Sequence, residues 1–283
     1  MMEFLRPQAL EEALSLLAEH PAYTILAGGT DVVVRRREGR LAPEGYLDVT
    51  LVPELREIRN GESIFVGAAV TCRELEESPL LAAVCPLLAA AASTVGSPQI
   101  RSRATLGGNV ANASPAADLI PALTAADAQV VIQGRQGTRR AALPDLIQGP
   151  GRCALEPGEL ILGVVLEPFR ETARWSFDKI GRRNALAIAR MNGAVVLEEE
   201  GGQMRNVRLC AGAAARRPVR FRGAEALLEG QNPDKDLFRR AGEAVSQAIL
   251  EETGMRESSR YKLPVAVEFT ARHLENAARR GQA

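Results

Sequence analysis

At 283 residues the chain is long enough to bury a sizeable core and to divide into two or three domains. Thirty-five Lys+Arg balance thirty-five Asp+Glu, so no global basic field draws the chain to nucleic acid or to an anionic membrane. The four cysteines (Cys72, Cys85, Cys153, Cys210) form no Cys-x-x-Cys pair and only His20 and His273 could assist them, which argues against a zinc site or a Cys-ligated cluster and fits small buried thiols in a reducing compartment.

In chain order, Gln8 to Glu19 reads as an amphipathic helix with Leu10, Leu14 and Leu17 on one face, stopped by Pro21. Tyr23 to Ala27 is a strand that delivers the chain into Gly28-Gly29, after which Asp31 can cap a helix through Val32–Arg37, closed by Gly39. Tyr46–Val49 and Ser63–Val66 read as strands, and Thr71 introduces a short helix around Glu74. Pro79 to Ile100 carries no charge and is long enough to span a bilayer, but it is alanine-rich and interrupted by Pro86, Gly96 and Pro98; it reads as a buried helix from Leu80 to about Thr94, followed by a loop from Gly96 to Ala104. Gln129–Gln133, Arg139–Ala141 and Leu160–Leu166 follow as strands, and Glu167-Pro168 marks a domain boundary. Beyond it Trp175–Ile180, Ala194–Glu198 and Met204–Cys210 read as an antiparallel group with a hairpin turn at Glu200-Gly201-Gly202, then helices near Gly223–Glu229, Pro233–Glu251 and Pro264–Arg279. The N-terminus lacks a signal-peptide pattern, so a cytoplasmic protein without membrane insertion is expected.

Two glycine-rich segments carry the chemistry: Ala27-Gly28-Gly29-Thr30-Asp31-Val32, and Thr105-Leu106-Gly107-Gly108-Asn109 running on to Asp118. A Gly-Gly lets backbone N–H groups approach a ligand closely because no Cβ intervenes. Taken singly, the first is equally a turn with an N-cap and the second a β-bulge or hairpin; Asp118 is equally a helix N-cap or an acceptor for a sugar hydroxyl. Together they suit a diphosphate clasped from two sides. Neither the Gly-x-Gly-x-x-Gly fingerprint after a strand nor a Walker motif is present, nor is a Gly-x-Ser-x-Gly nucleophile elbow, so no catalytic side chain and no metal ligand set is expected and any chemistry belongs to a cofactor.

These strings, with the spacing between them and the tail Ser114-Pro115-Ala116-Ala117-Asp118, resemble the FAD-binding medium subunit of the molybdenum hydroxylases, the family of carbon monoxide and xanthine dehydrogenases. The resemblance covers nearly the whole chain. It implies an α+β fold: a two-lobed FAD-binding domain of the vanillyl-alcohol-oxidase/PCMH type over 1–168, with lobes of about 1–55 and 56–168, and a C-terminal domain of antiparallel sheet plus helices over 169–283. It places Ala27, Gly28, Gly29, Thr30, Asp31 and Val32 on the first FAD loop, Thr105, Gly107, Gly108, Asn109 and Asp118 on the second, Ile161 near the isoalloxazine ring and Lys179 as a basic residue near the flavin. Read locally, Ile161 is a plain core residue and Lys179 a surface strand lysine. Some relatives carry an aromatic residue beside the ring where this chain has Val95.

The resemblance further implies an FAD-carrying electron-transfer subunit of an oxidoreductase complex. Its partners would be a small subunit with [2Fe–2S] clusters and a large molybdopterin subunit, in a dimer of heterotrimers, with electrons passing from the clusters through this flavin to an external acceptor. Two alternatives from other classes are a stand-alone flavin-dependent reductase, resembling the enolpyruvyl-sugar reductases of cell-wall synthesis, and a flavin-free assembly protein.

Overall fold

The computed structural model describes residues 2–183 and 186–279. Glu3–Leu5, Gly45–Asp48 and Thr24–Leu26 lie side by side as a three-stranded parallel sheet, with the middle strand wholly buried. The amphipathic helix Leu10–Glu19 turns Ala13 and Leu17 inward, the spacing that its apolar periodicity requires. Thr24–Leu26 is an edge strand, so the chain that leaves it at Ala27 is free to face the second lobe.

The second lobe is a five-stranded antiparallel sheet in the order Ile58–Arg59, Ile64–Gly67, Leu160–Leu166, Gln129–Gly134, Gly137–Ala142. It shares one apolar core with five short helices, Cys72–Glu77, Pro79–Val84, Pro86–Ser93, Leu106–Asn112 and Leu119–Ala125. Thr71 and Glu74 close a reciprocal capping box on the first of these. The two-stranded ribbon Ile147–Gly149 and Arg152–Cys153 lies alongside.

The third sheet runs Ala173–Ile180, Met191–Glu200, Gln203–Gly212, Val219–Arg220, all antiparallel. Gly201 and Gly202, both with positive φ, make the expected two-residue hairpin. The strand Met191–Glu200 is covered on both faces. Ala194 and Val196 join the core of the N-terminal half, whereas Met191, Val195 and Leu197 pack under the helices Arg222–Leu228, Lys235–Thr253 and Ser259–Arg279. A two-residue period with both faces apolar gives the unbroken run of buried residues.

Several expectations need correction. The alanine-rich helix expected from Leu80 to Thr94 is two helices broken at Cys85-Pro86: proline bars its predecessor from the helical region, Cys85 sits at φ −150°, ψ 64°, and Pro86 opens the next helix at its first position. The loop expected over Gly96–Ala104 contains a helical turn, Pro98–Arg101, capped by Ser97. The second glycine segment is not a loop: Thr105 is the N-cap and Gly107-Gly108-Asn109 form the first turn of Leu106–Asn112. The last helix begins at Ser259 and carries Pro264 inside it. Among the described residues no helix is long and apolar enough to cross a membrane.

Candidate functional site

The first glycine segment leaves the edge strand and turns at Gly29, whose φ of +73° favours glycine. Asp31 stands at the N-cap position of Val32–Arg37, but its side chain makes no capping bond. Among the described residues the N–H groups of Gly28, Gly29, Thr30 and Asp31 meet no acceptor, while Val33 donates to the Gly29 carbonyl at 3.0 Å and Arg35 to that of Asp31 at 2.9 Å. Successive unclaimed N–H groups about a left-handed residue make a concave anion seat. Gly28 is fixed by contact: a Cβ there would lie 1.8 Å from the Arg103 carbonyl oxygen.

The second segment is built differently. Leu106 donates its N–H to Val70 O at 2.9 Å, Gly107 to Ala68 O at 2.8 Å and Asn109 to Thr105 O at 2.9 Å, all backbone to backbone. Gly108 donates to Thr105 Oγ1 at 3.2 Å. The main-chain donors expected from Gly107 and Gly108 are therefore engaged inside the fold. A Cβ on Gly107 would sit 2.6 Å from that of Ala68, so this glycine serves close packing. What the segment offers a ligand is side-chain chemistry: the hydroxyl proton of Thr105, and Asn109, whose buried Oδ1 has no hydrogen-bond partner.

The two segments face each other across one cavity of about 370 Å³, with Ala27–Val32 on one wall, Thr105, Gly108, Asn109 and Asn112 on the other, and Val95 and Ile100 adding apolar surface. That volume is at the small end for a ligand pocket and suits one stretch of an extended dinucleotide. Arg35 is the cation at its rim. A second cavity of about 600 Å³ shares Gly28 and Thr105 and continues past Arg6, Arg56 and Arg103. A third, of about 850 Å³, opens between the helix Pro86–Ser93 and the C-terminal sheet, past Thr94, Gly96 and Lys179. Asn112 was not expected from sequence; its place one helical turn after Asn109 is the signal that could have found it.

Gly107, Asp118, Ile161 and Lys179 do not line the cavity between the glycine segments. Ile161 is buried in its strand opposite Ile132. Asp118 occupies the N-cap position of Leu119–Ala125 without capping it. Instead its Oδ2 takes Lys179 Nζ at 2.5 Å and its Oδ1 takes Asn192 Nδ2 at 2.8 Å. Lys179 is thus a partly buried ion-pair partner rather than a freely exposed surface lysine, with a further bond from Nζ to Thr94 O at 2.9 Å. Burial pushes the Asp118 carboxyl above its usual range, against the pull of the Lys179 ammonium and the Asn192 amide.

Among the described residues nothing else resembles a reactive centre. Burial drives Cys72 and Cys85 up to about 12 and Cys153 to about 11, and raises Cys210, so none is a thiolate near neutrality. Among the described residues no three His, Cys, Asp or Glu side chains group as a metal site. A cavity of about 630 Å³ at the domain junction is lined by paired charges: Arg220 holds Glu225 at 2.8 Å and Asp127 at 2.6 Å.

Residues 1–167 match the family model for the FAD binding domain in molybdopterin dehydrogenase, and residues 175–277 match that for the CO dehydrogenase flavoprotein C-terminal domain. The chain is 35% identical over 237 residues to the nicotinate dehydrogenase FAD-subunit of Eubacterium barkeri, covering 81% of this chain and 79% of that one. It is 29% identical to the carbon monoxide dehydrogenase medium chain of Hydrogenophaga pseudoflava, covering 98% and 96%. Among solved structures, a carbon monoxide dehydrogenase of H. pseudoflava superposes with a TM-score of 0.93 at 28% identity, covering 99% and 98% of the two chains. Quinoline 2-oxidoreductase of Pseudomonas putida 86 gives 0.92 at 26%, covering 100% and 99%.

Proposed function

This chain belongs to the family of FAD-binding subunits of molybdopterin dehydrogenases, and we propose that it takes electrons from the [2Fe–2S] clusters of a small partner subunit and passes them to an external acceptor. It is a flavoprotein oxidoreductase subunit of molybdenum hydroxylase type. The observation that carries the reading is the cavity walled by both glycine segments, with four unclaimed backbone donors on one side and the unpartnered Asn109 Oδ1 on the other. These fit a dinucleotide, because they offer what a diphosphate and a polyhydroxy chain require and have no partner among the described residues.

Bound FAD supplies the redox chemistry. The chain's own residues hold it. The N–H groups of Gly28, Gly29, Thr30 and Asp31 take the diphosphate oxygens, with Ala27 and Val32 completing that wall. The Asp31 carboxylate turns away from the phosphates to a sugar hydroxyl. Thr105 and Asn109 meet the ribityl side, while Gly107 and Gly108 keep the second segment close enough to do so. Ile161, buried in its strand, backs the apolar wall on the ring side, and Lys179, held by Asp118, keeps a fixed cation at the adjoining cleft. The cofactor domain spans 1–168, in lobes of about 1–55 and 56–168, and residues 169–283 form the C-terminal domain. The assembly is a dimer of heterotrimers with small iron–sulfur and large molybdopterin subunits, in the cytoplasm.

The test is the visible spectrum of the purified chain, with chromatography of any released flavin. Flavin bands with FAD released, bleached on adding the reduced iron–sulfur partner, support the proposal. A colourless chain that takes up no added FAD, alone or with its partners, overturns it.

A further inference from the structure

Asn192 lies fully buried near the start of the strand Met191–Glu200, where most of its buried strand neighbours are apolar. A buried amide there is unfavourable unless its donors are used. They are: Nδ2 donates to Asp118 Oδ1 at 2.8 Å and to Ala117 O at 3.1 Å, two adjacent residues at the start of Leu119–Ala125. The strand register sets Asn192 directly opposite Lys179, so both side chains leave the same face of the C-terminal sheet and meet one carboxylate in the FAD-binding half. On the other side Asn192 faces Gly212, where a Cβ would come within 2.3 Å of the amide oxygen; the space of a side chain at 212 is given over to Asn192.

We propose that Asn192 is a positioning residue of the cofactor site: it fixes the plane of the Asp118 carboxylate, so that Asp118 and Lys179 form one oriented charge pair where the C-terminal sheet meets the FAD-binding domain. The inference rests on the FAD reading above. Lys179 alone does not fix that plane. An ammonium on a four-carbon stem is a point charge, and its single contact to Oδ2 leaves the carboxylate free to turn about its Cβ–Cγ bond. The Asn192 amide removes that freedom from the opposite oxygen and ties the adjoining backbone carbonyl at the same time. Through this one side chain, the C-terminal sheet sets a geometry in the N-terminal half.

The experiment titrates FAD into the full chain and into N192L, N192S, D118A and N192L/D118A, with flavin fluorescence as readout, and records the midpoint potential of the bound flavin and the melting of each cofactor-free chain. Loss of a donor to a carboxylate predicts about tenfold or greater weakening of FAD binding by N192L, and by N192S, whose hydroxyl is too short to reach Asp118. On the D118A background N192L changes the dissociation constant less than about twofold. The potential moves in the same direction in N192L as in D118A. Wild-type affinity in both N192L and N192S overturns the proposal. So does a loss of equal size with and without the Asp118 carboxylate, since Asn192 would then act through packing alone. A wild-type chain that binds no FAD, alone or with its partner subunits, overturns the cofactor reading itself, and this inference with it.

Discussion

Replacing Gly28 by alanine tests the site where it is most constrained. A Cβ at position 28 would lie 1.8 Å from the Arg103 carbonyl oxygen, 2.5 Å from its carbon and 3.0 Å from Ala104 N. Comfortable non-bonded contact is about 3.5 Å, so the two backbones must part by about 1.7 Å. No rotamer relieves this, because both partners are main chain. Arg103 and Ala104 are pinned by bonds from their N–H groups to Ile100 O at 2.9 and 2.7 Å, and Ala104 O accepts from Cys72 N at 2.8 Å. The first glycine segment must therefore move, and a shift of about 1.7 Å takes its donors beyond hydrogen-bond reach of the phosphates of a dinucleotide whose ribityl chain is held by the opposite wall. Each bond to a charged acceptor contributes about 1.5–3 kcal/mol; losing two at the low end gives about 3 kcal/mol, or about a hundredfold in affinity. The assay is FAD titration of G28A at 25 °C, beside melting of the cofactor-free protein. G223A is the control, since a Cβ there meets nothing within 4 Å, and it should bind as the wild type does. If G28A binds FAD within about threefold of wild type, the cavity between the glycine segments is not where the cofactor sits.

Three further outcomes are expected. N109L removes a buried oxygen that has no partner, so the cofactor-free chain should melt no lower than wild type while FAD binds about tenfold more weakly, measured by the same titration. K179M strands the Asp118 carboxylate and should lower unfolding stability by about 3 kcal/mol at pH 7.5 in urea denaturation. Because burial raises the Asp118 carboxyl, the folded state favours its protonated form; the stability of K179M should therefore fall as pH rises through that raised value and recover on acidification, and a flat profile would contradict this. Burial holds His273 down at about 4, so the unfolded chain takes up a proton at a pH where the native one does not. Wild type should lose about 2 kcal/mol between pH 7.5 and 5 from this group, and H273Q should lose that increment of acid sensitivity in urea midpoints at the two pH values.

Wherever a local signal governs the backbone, the sequence reads correctly. The leucine spacing of Leu10, Leu14 and Leu17 marks a helix, Gly201-Gly202 marks a hairpin, and the strand entering Gly28-Gly29 followed by a helix is what forms there. Local reading fails where two local rules compete. The alanines from Leu80 to Thr94 favour one helix, yet Pro86 overrides them by constraining Cys85, and Thr105 turns an apparent glycine loop into a helix start.

By itself, then, the sequence determined the turn and helix of the first glycine segment and the residue types able to hold a dinucleotide. The tertiary structure alone decided which of them can use that ability. Gly28 and Gly107 look alike in sequence, but Gly28 keeps its N–H free of any described acceptor while that of Gly107 is bound to Ala68, the residue after a strand end nearly forty positions earlier. Asp118 and Lys179, 61 positions apart, become a pair only because the C-terminal sheet docks on Leu119–Ala125, and Asn192 carries no mark in the sequence beyond being a polar residue in an apolar strand. Hydrogen bonds and ion pairs between distant residues leave no periodicity behind; they exist only once packing has brought the groups within about 3 Å of each other.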